Sequence, residues 1–203
     1  ENSFDESIET EGKQAVAVYA AGERMVFNNV RLLGNQDTLF AHSGTQYYYD
    51  SYIEGDVDFI FGGASAVFEN CTIHSVDRGS DTNNGYITAA STQQDQYGFL
   101  ILRSELTSDA KEGTVYLGRP WQPSSNPTAI ANVVYKESYL GEHIKEEGWT
   151  EMGGFQPEDA RLYEYNNEGP GVAINNNRRQ LTDEDATEYT VENVLGGWVP
   201  TLN

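Results

Sequence analysis

One pattern of apolar and polar positions recurs along the chain. A large apolar residue is followed by any residue, then by a small polar residue, and an aliphatic residue comes shortly after. It occurs at Phe27-Asn28-Asn29-Val30, Tyr49-Asp50-Ser51-Tyr52-Ile53, Phe68-Glu69-Asn70-Cys71-Thr72-Ile73, Leu102-Arg103-Ser104-Glu105-Leu106 and Tyr135-Lys136-Glu137-Ser138-Tyr139-Leu140. The leading residues are 22, 19, 34 and 33 positions apart. A unit of about twenty residues, lengthened where a loop is inserted, is the sequence form of a solenoid. Val, Ile, Phe, Tyr and Thr fill the units, and Gly and Asn fall at their corners, as strands and turns require. Helical periodicity is missing until the C-terminus. The pattern therefore predicts an all-β fold, a right-handed parallel β-helix with one turn of chain per repeat. An antiparallel sandwich with fortuitous internal similarity is the alternative.

Residues 1–13 are polar and acidic and read as a loop, with a first strand over 14–19 and a strand pair over 24–33. Further strands are predicted over 85–89 and 99–102, a turn over 109–113 leads into 114–121, and 129–139 is the last clear repeat, with polar loops at 77–84, 93–97 and 122–127. The period is lost from Gly148, and a short strand follows over 160–165. Thr182 before Asp183-Glu184-Asp185 is a hydroxyl cap with acids in the first turn. It predicts a helix over about 182–195, packed beside or across the solenoid. The whole chain, 1–203, is read as a single domain.

Coils of such a solenoid stack at the strand spacing of ~4.8 Å, so residues one repeat apart lie above one another. Gln14 and Gln36 are 22 apart, and Asp37 and Asp58 are 21 apart. Three successive coils would then present Gln14, the Gln36-Asp37 pair and Asp58 as one polar ladder. Asp58 directly precedes Phe59-Ile60-Phe61. A carboxylate entering a buried strand is costly unless it is paired or given chemical work.

Composition narrows the classes. The chain's 203 residues are 38% hydrophobic and 12% aromatic, which is enough for a folded core. A net charge of -20 argues against nucleic acid and anionic membrane as partners, since both would be repelled. Cys71 is the sole cysteine, so no internal disulfide framework exists. No apolar run is long enough to span a membrane. Gly63-Ala64-Ser65-Ala66 stops short of a nucleophile elbow, and His42, His74 and His143 lack zinc-type spacing. Phosphate-loop and dinucleotide motifs are missing. No metal and no cofactor are expected.

What remains is two aspartates on adjacent coils, flanked by glutamines, with Arg119 further on. An Asp58 held ionised by Arg119 can attack, while an Asp37 of raised pKa donates and recovers a proton. Amides of Gln14 and Gln36 suit an oxyanion, which points to ester hydrolysis. The same acids without amide donors would suit glycoside cleavage. Gln14 and Gln36 as a stabilising amide ladder, and Arg119 as a plain structural ion pair, remain open. Trp121 lies two residues after Arg119 and shares its face if the strand persists. With Trp149 and Met152 opposite it, Trp121 would line a sugar groove, and a simply buried aromatic is the competing reading. A non-enzymatic binding solenoid and a β-helical polysaccharide hydrolase or lyase are the other functional classes.

Gln36-Asp37-Thr38-Leu39, Gly55-Asp56-Val57-Asp58-Phe59-Ile60-Phe61-Gly62 and Leu117-Gly118-Arg119-Pro120-Trp121 occur in that order. They resemble the signature blocks of pectin methylesterases, and Gln14-Ala15-Val16-Ala17 resembles the block before them. The resemblance extends to Trp198-Val199-Pro200, and Gly148-Trp149-Thr150-Glu151-Met152 is similar to the bacterial branch. It implies a secreted, extracellular β-helical enzyme, a monomer without metal, that binds pectin and removes methyl groups from its galacturonate esters. By the same resemblance Asp58 would be the nucleophile and Asp37 the acid and then base. Gln14 and Gln36 would stabilise the anionic intermediate, Arg119 would orient Asp58, and Phe61, Trp121, Trp149 and Met152 would line the groove. Family members carry several coils before the Gln14 strand, so the resemblance implies an N-terminally truncated chain with part of the groove missing. Asp56 stands where many relatives carry Thr, and is expected to share a strand face with Asp58 and crowd its charge.

Overall fold

A computed structural model describes residues 13–202, so the loop expected over 1–13 lies, Lys13 aside, outside the described residues. Five successive coils each contribute three short strands. The first holds β1 (Val18–Ala21), β2 (Met25–Asn28) and β3 (Arg31–Leu32). The second holds β4 (Leu39–Ser43), β5 (Thr45–Tyr49) and β6 (Tyr52–Gly55). The third holds β7 (Val57–Gly62), β8 (Ser65–Glu69) and β9 (Thr72–Ser75). The fourth holds β10 (Gly85–Ala90), β11 (Phe99–Leu102) and β12 (Glu105–Ser108). The fifth holds β13 (Val115–Gly118), β14 (Asn132–Lys136) and β15 (Tyr139–Leu140), after which β16 (Arg161–Tyr165) adds one more rung. Equivalent strands stack into three sheets, β1-β4-β7-β10-β13, β2-β5-β8-β11-β14-β16 and β3-β6-β9-β12-β15. Every pairing between these strands is parallel. The expected parallel β-helix is the fold.

The interior is built from stacked rows. Phe27, Tyr48 and Phe68 stack face to face with centroids 4.6 Å apart at each step, and Ile101 and Tyr135 continue the row. The register corrects the sequence pattern in two coils. Tyr49 and Leu102, read there as members of this row, sit one position later, beside Glu69. Their strands read Thr45-Gln46-Tyr47-Tyr48-Tyr49 and Phe99-Leu100-Ile101-Leu102, so alternation gives no phase. The reason lies outside the coil. Tyr47, Val67, Leu100, Leu102 and Val134 form a second apolar cluster with Val194 and Leu195 of the C-terminal segment. Both faces of the middle sheet are thus covered, and a strand buried on both sides loses its period of two.

Each coil turns after its middle strand through a left-handed residue: Asn29, Asp50, Asn70, Arg103, Glu137 and Asn166 all have φ between 47 and 54°. Asn and Asp adopt this conformation most readily. Arg103 and Glu137 are less suited to it, but they are cross-linked, Arg103 pairing with both Glu69 and Glu137. The row of small polar residues beside the corner has its own ladder. Ser104 Oγ accepts from the Cys71 amide at 3.0 Å, and Ser138 Oγ accepts from the Ser104 amide at 3.1 Å. Cys71 is a buried member of this ladder.

Two boundaries differ from expectation. The strand predicted over 14–19 is a single bridge from Gln14 to Gln36, followed by β1 from Val18. The helix predicted over 182–195 is two short helices, α1 (Asp183–Ala186) and α2 (Val191–Val194). Thr182 caps the first as expected, accepting from the Asp185 amide at 3.1 Å. Thr190 is extended and caps the second, accepting from the Asn193 amide at 3.1 Å. A threonine that bonds a downstream amide in this way restarts the helix rather than continuing it. At the far end of the solenoid Glu164 and Arg178, both about 1% exposed, form a two-pronged pair at 2.7 and 2.6 Å.

Phe68 sits mid-row with no exposure. Phe68→Ala is expected to lower unfolding free energy by about 3–5 kcal/mol, read from denaturant melts. A loss below about 1 kcal/mol would show that the row does not carry the core.

Candidate active site

The first sheet holds the acids. Tyr86 of β10 pairs with Val57 of β7, yet Thr88 pairs with Ile60, so β7 carries one extra residue over this span. That is a β-bulge, and Asp58 lies within it with φ of 50°. Asp37, at the entry to β4, is also left-handed, with φ of 66°. Its amide donates to the Val57 carbonyl at 3.1 Å, and the Leu39–Ile60 pairing, extended back two positions, sets it beside Asp58. One rung earlier, Gln14 bridges Gln36. The register therefore stacks Gln14 on Gln36 and sets Asp37 beside Asp58. Gln14 is exposed, Gln36 and Asp37 are half-buried, and Asp58 is only 6% exposed.

Arg119 follows β13, two coils beyond Asp58, and reaches back over the intervening coil. Its Nε donates to Asp58 Oδ1 at 2.9 Å and its Nη2 to Oδ2 at 2.7 Å. This two-pronged, charge-assisted geometry is the strongest side-chain pairing available. Burial alone would lower the Arg119 pKa, but the hydrogen bond and charge of Asp58 outweigh it and hold it above its usual value. Asp37 has no such partner among the described residues. Withdrawal from water pushes its pKa up, the Asp58 charge adds to this, Arg119 opposes it and Asp56 adds a little, leaving a value of about 6.

Asp56 does not crowd Asp58 in the way expected. Its Oδ1 accepts from the Val57 amide at 2.6 Å, and its other oxygen lies 3.5 Å from Arg78 Nε. Burial raises its pKa, and these two contacts work against that rise. The two acids answer to different cations, because the bulge breaks the alternation that would have put them on one face.

An aromatic strip runs beside the acids. Phe61 stacks on Phe40 at 4.3 Å, and Trp121 lies 5.8 Å from Phe61 and 6.5 Å from Phe40. Tyr19 meets Phe40 edge-on at 5.1 Å, and His42 lies 4.9 Å from Phe40. Trp121 stands between two cavities. One, of about 530 Å³, is walled by Met152 and Phe155, and the other, of about 460 Å³, by Phe40, His42 and Gln93. Trp121 and Met152 line these cavities, whereas Phe61 is buried at 8% exposure and packs behind them against Phe40 and Trp121.

Trp149 lines neither cavity. It is 2% exposed, belongs to the main core and lies 5.8 Å from the Tyr135 ring. Its backbone bridges Gly118, so it extends the coil by a rung and its indole is drawn inside. The opposite wall is built instead by a small hairpin in which Met152 and Phe155 exchange backbone hydrogen bonds at 3.2 and 3.1 Å. Sequence reasoning also missed Tyr19, Phe40 and Tyr86. For the first two the signal was available: Tyr19, Phe40 and Phe61 follow one another at intervals of 21 and share one register row.

Comparison with known proteins fits this geometry. The Pectinesterase family model matches residues 2–198. Pectinesterase A of Dickeya chrysanthemi is 40% identical over 226 aligned positions, covering 98% of this chain and 61% of that protein. Pectinesterase 31 of Arabidopsis thaliana is 38% identical, covering 92% and 57%. Among solved structures, a pectin methylesterase in complex with hexasaccharide VII superposes with a TM-score of 0.91 at 38% identity, covering 99% of this chain and 66% of that one. Pectin methylesterase PemA from Erwinia chrysanthemi superposes with a TM-score of 0.90 at 39% identity, covering 98% and 65%. The chain spans about three fifths of the length of these curated relatives.

The raised pKa of Asp37 has a stability consequence. The folded protein holds this proton more tightly than the unfolded chain, so the group costs nothing below its ordinary value of 3.8, costs progressively more as pH rises from there to about 6, and exerts its full destabilisation above that. A shift of that size is worth at most ~3 kcal/mol, and solvent screening of a half-exposed group leaves roughly 1 kcal/mol. Asp37→Asn should therefore be the more stable protein at pH 8, with the gain vanishing toward pH 4. An equal gain at both pH values would contradict this origin.

Proposed function

The chain belongs to the pectinesterase family, and from that premise we propose that it is a carboxylic ester hydrolase that removes methyl groups from methyl-esterified homogalacturonan, releasing methanol and leaving pectate. The observation that carries this reading is the asymmetry of the two acids: Asp58 is gripped by Arg119 on both oxygens, while its neighbour Asp37 keeps its proton to about pH 6.

In this reading an Asp58 carboxylate oxygen attacks the ester carbonyl carbon of a galacturonate unit. Arg119 fixes the direction of attack, which is where positioning lowers the barrier. Charge develops on the carbonyl oxygen, and the side-chain amides of Gln14 and Gln36 are the donors for it. Neither amide is held by a hydrogen bond to another described residue. Protonated Asp37 gives its proton to the methoxy oxygen, the C–O bond breaks and methanol leaves. An acid anhydride now joins Asp58 to the sugar. Asp37, now a carboxylate, takes a proton from water as its oxygen attacks the sugar carbonyl. The anhydride opens, Asp58 is freed as carboxylate, and Asp37 has recovered its proton. Trp121, which borders both cavities, offers an aromatic face for a sugar ring, and Phe61 packs behind it.

The polymeric substrate supports a place of action outside the cell. The high negative charge supports a monomer, because like copies repel.

Incubation with methyl-esterified polygalacturonate is expected to release methanol without a fall in viscosity; falling viscosity without methanol would select a depolymerase. Asp58→Ala should lose on the order of 10³-fold or more in kcat with unchanged circular dichroism, and normal turnover in that variant would remove the covalent route. Because acyl transfer needs protonated Asp37, kcat/KM should decline as pH rises through about 6.

A further inference from the structure

Arg119 belongs to the fifth coil and Asp58 to the third, so the guanidinium must cross the fourth. The side chain it crosses is Tyr86 of β10, with Arg119 Cζ 3.9 Å from the Tyr86 ring centroid. A guanidinium laid on an aromatic face at this distance is held by cation–π attraction and by contact. Tyr86 is itself fixed from two further directions. Its ring stacks on Tyr116 of β13 at 5.4 Å and 11°, and its hydroxyl accepts from Asn83 Nδ2 at 2.9 Å. Asn83 is tied in turn, its Oδ1 accepting from the Gly85 amide at 3.0 Å and its own amide donating to Ser80 Oγ at 3.0 Å.

We propose that Tyr86 is a positioning residue for the esterase reaction: its ring is the platform on which Arg119 lies, so that Nε and Nη2 of Arg119 meet the two oxygens of Asp58. The inference rests on the esterase reading for its kinetic consequence but not for its geometry. Arg119 feels the charges of Asp58 and Glu151, Asp37 those of Asp58, Arg119 and Asp56, and Asp56 pairs with Arg78; the Tyr86 ring lies against Arg119, while its backbone amide donates to the Asp56 carbonyl at 3.0 Å. Without the ring, the long Arg119 side chain spans an open gap, and its second hydrogen bond to Asp58 is the first to be lost. Asp37 would register the change too, since Arg119 is the charge that opposes its raised pKa.

The test compares Tyr86→Leu and Tyr86→Phe with the unaltered protein. Tyr86→Leu should lower kcat on the order of 10²-fold with KM moved less than about threefold, because Arg119 grips the nucleophile and not the sugar. Tyr86→Phe keeps the platform and should recover most of the rate. Carbon-13 NMR titration of the Asp37 carboxyl should show its midpoint rise by about half a unit or more in Tyr86→Leu and stay in place in Tyr86→Phe. Tyr86→Thr, a strand former without a ring, gives the same readout if the leucine variant does not fold. An unmoved Asp37 midpoint in the ringless variants would overturn the proposal, as would equal losses in the leucine and phenylalanine variants. Lack of methanol release by the unaltered protein would sink the esterase reading, yet the Asp37 titration would still decide the role of Tyr86.

Discussion

Everything in this molecule depends on the hydrogen bonding of one coil to the next. Parallel pairing fixes neighbouring strands at a rung of ~4.8 Å, and a two-residue corner fixes where each strand begins. Residues about 21 apart are thereby held in contact, whatever their side chains prefer. Inside, the constraint yields the Phe27, Tyr48, Phe68 row. Outside, it yields the Tyr19, Phe40, Phe61 row and the ladder of amides and acids. The site is a by-product of the stacking that builds the core, which is why a shallow, open face can hold acids so closely.

Stacking alone would bury alternate residues of every strand and leave the acids wherever alternation put them. Two local departures re-aim them. The bulge in β7 gives Asp58 a left-handed backbone, and Asp37 takes the same conformation at the entrance to β4. Left-handed residues also turn the corner after each middle strand of the solenoid, but there they serve the winding of the chain. At the two acids they change the direction of a side chain, which is how backbone strain is commonly put to use near reacting groups. The close approaches this needs are visible at Gly85, where an added Cβ would come within 1.9 Å of the Asp56 carbonyl oxygen.

Much of this was legible in the chain. The repeat period predicted the coil, and the intervals between Gln14 and Gln36 and between Asp37 and Asp58 predicted the ladder. Phase was less legible than period. In Tyr47-Tyr48-Tyr49 and Leu100-Ile101-Leu102 the apolar run hides which residue faces in, because the C-terminal segment covers the outer face. Trp149 was misplaced for a related reason. An aromatic after a glycine reads equally well as a groove wall or as a core residue, and only its bridge to Gly118 decides. Tyr86 carried no signal at all, since its partner Arg119 is 33 residues away and meets it only because Arg119 has to cross its coil.

The division of labour between the two acids follows from counting charges rather than from either residue's own nature. Asp37, Asp56 and Asp58 lie near enough to feel one another's charge, and two guanidinium groups, Arg78 and Arg119, stand against them. Asp58 takes both arms of Arg119. Asp56 takes the Val57 amide and the looser contact with Arg78. Asp37 is left half out of water, next to a carboxylate and without a cation of its own, and the cheapest way to remove the surplus negative charge is for it to keep a proton. Two carboxylates of the same type on adjacent rungs are thus driven apart, one prepared to attack and the other to give a proton. A lysine or arginine placed beside Asp37 would abolish that difference.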